Sequence, residues 1–347
     1  MTRHRLGIAA LALLTAAAAA QAKPKGKGKG AEEKKPENPT LGLGEMPVSA
    51  DNPQTPEKIA LGHELFWDAR LSKSGTTSCE TCHLPEKGWA DGQKLSKKDD
   101  GKMNTRHTPT LLNAAFAPTF YWDGRAPSLE KQIAAAWKGQ MGVGDDKGTA
   151  EIAKKVGAVA GYKTEFQKVF QADATPDNIV KALAAYVRTL VSGNSAWDKS
   201  EAGDAKALTA AQKRGADLFK NKAKCSLCHA GFALTAWEFH NIGIGMDKKD
   251  PDPGRGKVDP SNPKLGGAFK VPTLRNVSKT APYMHDGRFD TLEQVVEYFE
   301  KPIDSPNLDE KVKGGIKLSA DEKKDLLEFL KALDGSDPDP KKPTLPQ

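Results

Sequence analysis

Residues 79–83 read CETCH and residues 225–229 read CSLCH, so the sequence carries the pattern C-x-x-C-H twice. This spacing is the attachment signature of c-type haem, because two thiols one helical turn apart add across the two vinyl groups of one porphyrin. The adjacent imidazole is then carried beneath the iron as its proximal ligand. The pattern predicts two covalent haem c groups, anchored by Cys79, Cys82, Cys225 and Cys228 and ligated by His83 and His229.

All four cysteines of the chain fall in these two patterns. An even number of cysteines in an exported protein normally indicates disulfides, and one C-x-x-C-H alone could belong to a zinc site or a redox dithiol. Two copies, with no further cysteine to complete a four-ligand zinc shell, make those interpretations poor. The dihaem interpretation is the one that the spacing favours.

The N-terminus indicates export. Arg3 and Arg5 precede an apolar run at 6–20, and a small-x-small cleavage site follows at 20–22. This order is typical of a secretory signal peptide, here residues 1–22. The run is shorter than the ~20 apolar residues of a membrane helix, and no later segment approaches that length. We therefore expect a periplasmic protein without a membrane span.

Both ends of the mature chain are predicted to be poorly structured. Residues 23–48 are rich in Lys, Gly and Pro and read as a flexible linker, and residues 336–347 read as a disordered tail. Arg3, Arg5 and the lysines of 23–35 account for most of the formal net charge of +7. The basic pI is therefore no argument for nucleic-acid binding.

The fold is predicted to be mainly α-helical, with long loops. A Gly-x-x-Leu-Phe helix precedes each haem motif, at 59–66 and at 212–219. This internal repeat predicts two cytochrome c-like helical domains, at 49–200 and 201–335, each with one haem. Apolar spacing and helix-start residues, among them Thr175 and Thr209, predict further helices at 128–138, 148–158, 176–192, 291–300 and 319–333.

Six further segments extend the pattern. They are ALGHELFWDARLS at 60–72, TPTLLNA at 108–114, WDGRA at 122–126, FHNIG at 239–243, VPTLRNV at 271–277 and APYMHDG at 281–287. In this order, and with the two haem motifs, they resemble the bacterial dihaem cytochrome c peroxidase family, including its MauG-like branch. The resemblance covers about residues 50–335, nearly the whole mature chain.

The resemblance implies a division of labour between the haems. The haem on His83 would meet hydrogen peroxide, and the haem on His229 would receive electrons from a small cytochrome c or cupredoxin. Trp122 matches the tryptophan that relays electrons between the haems, although by itself it could be a core aromatic with a bonded N–H. The family also forms homodimers. We expect the remaining tryptophans to be structural: Trp67, Trp89, Trp137, Trp197 and Trp237.

The family's distal acid is replaced in this sequence. The resemblance implies a carboxylate, in a stretch ending Glu-Met-Gly, that moves a proton between the peroxide oxygens. Anchored on Met-Gly, the matching residue is Gln140, which can hydrogen-bond peroxide but cannot act as a base. An ungapped count from Trp122 reaches Gly142 instead. Asp145, Asp146 or a chain of waters could substitute for the acid.

Two further departures concern the N-terminal haem and calcium. The family's peroxidases carry a histidine that caps the first iron, but residues 99–102 contain none, so we expect a five-coordinate or water-bound iron. His107 occupies the place of an Asn that helps to bind calcium, while the partners Thr280 and Pro282 are matched. His107 puts the calcium in doubt. It is either a loop histidine or a distal haem group.

The sixth ligand of the second haem is open. The family supplies Met or Tyr fourteen residues beyond the histidine of His-Asp-Gly, and the count from His285 reaches Phe299, which cannot bind iron. Tyr298, about 100° away on a helix, and Met284 are the candidates. Met would raise the haem potential, whereas tyrosinate would lower it. We expect the remaining histidines, His63, His240 and His285, to be structural or near the haem edges.

The sequence thus predicts an exported dihaem oxidoreductase that reduces hydrogen peroxide. A second hypothesis is peroxide-driven oxidation of a protein or other substrate by long-range electron transfer. A third is an electron-transfer cytochrome without efficient peroxide turnover, because Gln140 stands where the acid should be. A fourth is a haem-based binding or sensing protein.

Overall fold

The structure is a computed structural model, and it describes residues 38–347. Two short strands, β1 and β2, pair antiparallel with Phe239 opposite Lys270. The rest of the described chain is helix, loop and short 3-10 turns, so the predicted mainly helical class is confirmed. The α-helices and strands are α1 (Pro56–Trp67), α2 (Leu129–Gly139), α3 (Asp146–Gly157), α4 (Ala160–Phe170), α5 (Pro176–Val187), α6 (Ala196–Glu201), α7 (Ala210–Lys220), β1 (Phe239–His240), β2 (Phe269–Lys270), α8 (Leu292–Glu300) and α9 (Ala320–Lys331).

The helix starts follow local chemistry. Thr175, Thr209 and Ser319 each accept a hydrogen bond from a backbone N–H of the first helical turn, as side-chain caps do. Helix α5 ends at Val187, earlier than predicted. Helices α4 and α6 were not predicted. Helix α4 follows Val159 without any side-chain cap, so its start carries no signal in the sequence.

The repeated Gly-x-x-Leu-Phe pattern builds two helix pairs. In α1, Gly62 lies against α5, and a Cβ there would stand 1.9 Å from the Ala182 carbonyl oxygen. In α7, Gly215 lies against α9, with 2.0 Å to the Asp325 oxygen. Any side chain at either glycine would force its helix pair apart. The repeated glycine is therefore required by close helix packing.

Each helix pair contributes to its own hydrophobic cluster. Around α1 and α5 the first cluster contains Leu61, Leu65, Phe66, Ile179 and Leu183. Around α7 and α9 the second contains Phe219, Leu326, Phe329, Leu330 and Leu333. The two copies of the sequence repeat thus form two separate cores.

The segment around the predicted domain boundary, between residues 200 and 201, is packed. Within α6, Asp198 pairs with Arg275, and the two side chains are 3% and 2% exposed. Trp197 contacts the ring of Phe329 edge-on at 5.3 Å. Residues of α6 therefore belong with the second cluster, and the chain passes between the clusters before Ala196.

The chain ends also differ from the prediction where they are described. The Gly193 and Asn194 N–H groups donate to the Pro39 and Leu41 carbonyls at 2.7 and 2.8 Å, so the linker is bound from residue 39 onward. In the predicted tail, Pro346 accepts a hydrogen bond of 2.9 Å from Arg70. Backbone and side-chain contacts with the folded body thus hold both segments. The predicted signal peptide and residues 23–37 lie outside the described residues.

In residues 38–347, none of the helices has the length and apolar character needed to cross a bilayer.

Candidate functional site

A single cavity of about 1310 Å³ is lined by both C-x-x-C-H motifs. Most of the residues predicted for the site line it: Cys79, Cys82, His83, Trp122, Gln140, Cys225, Cys228, His229, Thr280, Pro282 and Met284. Tyr298 does not line it. The two motifs, far apart in sequence, therefore face one shared space.

The two histidines are held in the same way. The Nδ1–H of His83 donates to the Trp89 carbonyl at 2.9 Å, and that of His229 to the Leu234 carbonyl at 3.2 Å. Both carbonyl residues have a left-handed backbone, with φ of 62° and 51°. Such hydrogen bonds fix the ring and leave Nε2 free to bind a metal. Burial lowers the pKa of both imidazoles, that of His229 to about 4, so both are neutral.

The cysteines suit haem attachment better than a thiolate metal site. None of the four forms a disulfide. Burial raises the pKa of Cys79 and Cys225 to about 12 and that of Cys82 to about 11, so these three thiols are neutral. Within residues 38–347, no group of three or more His, Cys, Asp or Glu could hold a metal ion. Neutral thiols beside a large cavity fit thioether bonds to a porphyrin.

The structure reveals a second repeat that the sequence reasoning missed. Residues 109–130 align without gaps with residues 272–293, and both copies contain Pro-Thr-Leu-x-Asn and Asp-Gly-Arg. Asn113 and Asn276 both have φ of 58°. Tyr121 and Met284 take equivalent places, with φ of 64° and 73°. The two loops therefore have one backbone design, which the shared motifs could have disclosed.

These two loops meet by a symmetric pair of hydrogen bonds. The His107 N–H donates to the His285 carbonyl at 2.7 Å, and the Lys270 N–H donates to the Trp122 carbonyl at 2.8 Å. His107 and Lys270 are equivalent in the repeat, as are Trp122 and His285. The indole N–H of Trp122 also donates to the His107 carbonyl at 2.9 Å. Trp122 therefore lies at the junction of the two copies.

Equivalent helices give the cavity two different walls. Ser128 caps α2 and Thr291 caps α8, so the helices begin at matching positions. The cavity face of α2 contains Leu129, Gln132, Ile133 and Ala136, and that of α8 contains Leu292, Val295, Val296 and Phe299. Gln132 of the first wall corresponds to Val295 of the second, and Ala136 of the first corresponds to Phe299 of the second. The first wall is more polar and more open.

Gln140 follows the last residue of α2 and lines the first part of the cavity. Its Nε2 donates to Asn104 Oδ1 at 3.4 Å, and its Oε1 has no hydrogen-bond partner in the described chain. The substitute acids are elsewhere. Asp145 caps α3 by accepting from the Gly148 N–H, and Asp146 pairs with Lys138 at the surface. Neither aspartate lines the cavity, so the prediction that they could replace the acid fails.

Of the two candidate sixth ligands, the structure places only Met284 in the cavity. The Tyr298 hydroxyl donates to the Ile242 carbonyl at 2.6 Å and accepts from the Ile303 N–H at 3.3 Å. Phe299 takes the cavity side of α8 instead. The rotation of α8 therefore removes Tyr298 from the candidate ligands.

The predicted calcium site has few groups that could bind the ion. Thr280, Pro282 and His107 all line the cavity, but His107 Nδ1–H donates to the Gln93 carbonyl at 2.9 Å. The imidazole offers no carboxamide oxygen for calcium, a cation that binds oxygen ligands. The structure thus gives the matched pair Thr280 and Pro282 no additional side-chain ligand from residue 107.

The other histidines and tryptophans fall into two groups. His240 lies between Asp309 and Glu238, and His285 stacks on Phe269 at 3.6 Å, both at the cavity. His63 lies outside it, stacked on Tyr186. Among the tryptophans expected to be structural, Trp137 and Trp237 line the cavity, whereas Trp67, Trp89 and Trp197 do not.

Comparisons with known proteins agree with this geometry. A family profile described as di-haem cytochrome c peroxidase matches residues 56–206. The methylamine utilization protein MauG of Methylorubrum extorquens is 39% identical over 308 residues, which cover 87% of this chain and 84% of that protein. The chain belongs to the di-haem cytochrome c peroxidase family.

Other members of the family support the assignment. Cytochrome c551 peroxidase of Nitrosomonas europaea is 36% identical over 303 residues, which cover 86% of each chain. A solved MauG-like protein associated with microbial copper homeostasis is 31% identical with a TM-score of 0.80, covering 87% of this chain and 96% of that one. The predicted family is confirmed, and with it the class of enzyme, a haem-dependent oxidoreductase.

Proposed function

We propose that this chain is an exported dihaem enzyme that reduces hydrogen peroxide at its first haem site and takes electrons at its second. Cys79 and Cys82 would anchor the first haem over His83, and Cys225 and Cys228 the second over His229. Each haem, when bound, supplies an iron centre that exchanges electrons with peroxide or with a donor. The net reaction converts one hydrogen peroxide, two electrons and two protons into two waters.

The observation that carries this proposal is the difference between the two walls. Peroxide needs a site with room for a small polar ligand, and the first wall presents Gln132 and Ala136. Electron transfer needs no open position, and the second wall is closed by Val295 and Phe299. Since the same backbone builds both walls, the substitution of side chains is what separates the two roles.

Trp122 is proposed to couple the two sites. Its main-chain carbonyl accepts from Lys270 across the junction of the loops, and its indole N–H donates to the His107 carbonyl within its own copy, which holds the ring in one place. A fixed aromatic ring between two redox centres shortens each step of electron transfer. This role supports both two-haem oxidation by peroxide and supply of electrons from the second haem.

The electron donor is proposed to be a small cytochrome c or cupredoxin, and the location the periplasm. The relatives named cytochrome c peroxidases support the first statement, and the sequence of residues 1–22 supports the second. Calcium at Thr280 and Pro282, a homodimer and Met284 as sixth ligand stay predictions. Metal analysis, sedimentation and the spectrum of a Met284→Ala variant test them.

A second candidate function is peroxide-driven oxidation of another protein or an organic substrate. One relative, 39% identical to this chain, is named MauG, a methylamine utilization protein. Gln140 favours a third candidate, an electron carrier that does not turn over peroxide, because an amide cannot act as a base.

One stopped-flow experiment separates the three functions. The purified dihaem protein is mixed with stoichiometric hydrogen peroxide, and its absorbance is followed before and after addition of reduced cytochrome c. Rapid oxidation followed by rapid discharge supports peroxide reduction. Rapid oxidation with slow discharge supports oxidation of another substrate. An inert native protein beside a reactive Gln140→Glu variant would show an electron carrier.

A further inference from the structure

We propose that Tyr121 is the hydrogen-bond donor and proton relay for peroxide in the first haem site. The inference rests on the proposed function, because it assigns the group that handles the proton in that reaction. Gln140 cannot do so, and neither Asp145 nor Asp146 lines the cavity. Some other group in the first half of the cavity must move the proton if peroxide is cleaved there.

The repeat places Tyr121 at the first haem site. Tyr121 and Met284 are equivalent in the two copies, both have a left-handed backbone and both line the cavity. Met284 belongs to the copy that carries α8 and its wall. Tyr121 therefore holds the matching position beside α2, where its hydroxyl lies 3.4 Å from the Gln132 carbonyl oxygen.

Tyr121 has an unusual backbone conformation, and its ring is stacked against the Arg125 guanidinium. A positive φ of 64° is rare for a bulky aromatic residue, and such conformations cost of order 1–3 kcal/mol and cluster at functional sites. The Arg125 guanidinium lies 3.5 Å from the ring centre and is itself held by Asp123. The side chain is therefore held against one wall of the cavity rather than free to rotate into solvent.

The hydroxyl of Tyr121 is available for a ligand. It donates a hydrogen bond of 3.4 Å to the Gln132 carbonyl, at the long limit for an O–H donor, and it also interacts with the Arg125 guanidinium. The nearby carboxylate of Asp123 is occupied by Arg106 and Arg125. Burial raises the pKa of Tyr121, so the phenol keeps its proton at neutral pH.

A phenol can do what the amide of Gln140 cannot. Its oxygen is both a donor and an acceptor. Tyr121 would accept the proton of one peroxide oxygen while giving its own proton to the other, so that it ends unchanged. The O–O bond breaks and the protonated oxygen leaves as water. The remaining oxygen becomes the second water with two protons from solvent and two electrons, which the bound haem groups would supply.

The test uses the dihaem protein with the Tyr121→Phe substitution, which removes only the hydroxyl. Tyr186→Phe is the matched control, because Tyr186 is a buried tyrosine whose side chain lies outside the cavity. Two quantities are measured: the rate constant with hydrogen peroxide and the dissociation constant of fluoride at the ferric first haem. Bound fluoride accepts hydrogen bonds from a distal donor and undergoes no redox chemistry.

Loss of the hydroxyl is expected to slow the peroxide reaction about 100-fold, the lower end for removal of an acid–base group. Fluoride is expected to bind about tenfold more weakly, which is the loss of one hydrogen bond to a charged acceptor. Adding Gln140→Glu to Tyr121→Phe is expected to restore the peroxide rate. The Tyr186→Phe protein is expected to match the native protein in both measurements.

The outcomes separate this proposal from the proposed function. Unchanged rate and unchanged fluoride affinity in Tyr121→Phe overturn the role of Tyr121, and a loss in His107→Asn instead assigns the proton to His107. A native protein that does not react with peroxide overturns the proposed function. In that case, weaker fluoride binding in Tyr121→Phe still supports Tyr121 as the distal donor.

Discussion

The two copies of the loop repeat keep the residues that shape their backbone and differ at several positions that face the cavity. Asn113 and Asn276 keep the same left-handed backbone. The Asp-Gly-Arg turns keep the same ion pairs, Arg125 with Asp123 and Arg288 with Asp286. The two copies thus share these asparagines and Asp-Gly-Arg turns, so side chains that face the cavity can differ while the loop backbone stays the same.

The cavity-facing positions show what changed. The first copy has Tyr121, Gln132 and Ala136, where the second has Met284, Val295 and Phe299. Two polar side chains of the first copy, a phenol and an amide, are matched by apolar ones in the second, and the methyl group of Ala136 is matched by an aromatic ring. One copy is suited to receive a small polar ligand, and the other to shield a redox centre from water. The division of labour thus depends on few side chains.

The largest expected effect comes from removing one pair of cysteines at a time. Cys79→Ala with Cys82→Ala should abolish covalent haem in the first copy and the reaction with peroxide. Cys225→Ala with Cys228→Ala should abolish reduction by the donor instead. Mass spectrometry of the intact protein counts the haems, and stopped-flow absorbance measures the two half-reactions.

Each cysteine double variant is the control for the other. The proposal requires that the two variants lose different half-reactions. Loss of the same half-reaction in both variants would show that the two copies do not divide the chemistry. Retention of two covalent haems in either variant would contradict the assignment of the cysteines.

A smaller effect is expected from exchanging the side chains that open and close the walls. Ala136→Phe should fill the first wall and slow the peroxide reaction about 100-fold, because ångström-scale changes in position have effects of that size. Phe299→Ala should open the second wall and let added cyanide bind at the second haem. Stopped-flow absorbance measures the peroxide reaction, and titration of the ferric protein with cyanide, followed at each haem, measures access to the two sites.

The two wall variants also test each other. If the walls control access to the haems, Ala136→Phe should lower the cyanide affinity of the first haem. Phe299→Ala should raise the cyanide affinity of the second haem. An unchanged peroxide rate in Ala136→Phe would mean that this face of α2 does not control entry. A helical far-ultraviolet spectrum equal to that of the native protein serves as the folding control.

Much of this organisation could be predicted from sequence because the signals are local. The caps at Thr175 and Thr209 act within a few residues, and both were predicted correctly. Helix α4 was missed because no capping side chain marks its start at Val159. Local chemistry predicts helix starts only where a side chain takes part.

The remaining features depend on packing between distant segments. Tyr298 was a candidate sixth ligand, but the rotation of α8 turns Phe299 toward the cavity in its place, and a count along the chain does not give that rotation. Asp198 lies near the predicted domain boundary and forms a buried ion pair with Arg275, which the polar composition of that segment did not indicate. Tyr121 was not predicted because no local motif marks it, and it is paired with Met284 only when residues 109–130 are aligned with residues 272–293.

The smallest expected effect concerns Lys270, the counterpart of His107 at the junction. Burial lowers the pKa of Lys270 from 10.5 to about 8, and its Nζ donates to the Thr119 carbonyl. Below pH 8 the ammonium is charged in both the folded and the unfolded chain, so the folded protein bears the full cost of burying it. Between pH 8 and 10.5 the folded protein loses its proton first, and stability at this site rises with pH.

Replacement by a neutral side chain should remove that dependence. Lys270→Met is expected to increase the free energy of unfolding at pH 7 by about 1–2 kcal/mol, after the lost hydrogen bond to Thr119 is counted. At pH 10.5 the gain should fall toward zero. Urea unfolding of the dihaem protein at the two pH values measures the difference, with the exposed Lys264→Met as control. An equal increase in the free energy of unfolding at both pH values would show that burial of the charge on Lys270 does not destabilise the folded protein. Lys270 and its counterpart His107 would then differ at the junction in shape and not in the cost of a buried charge.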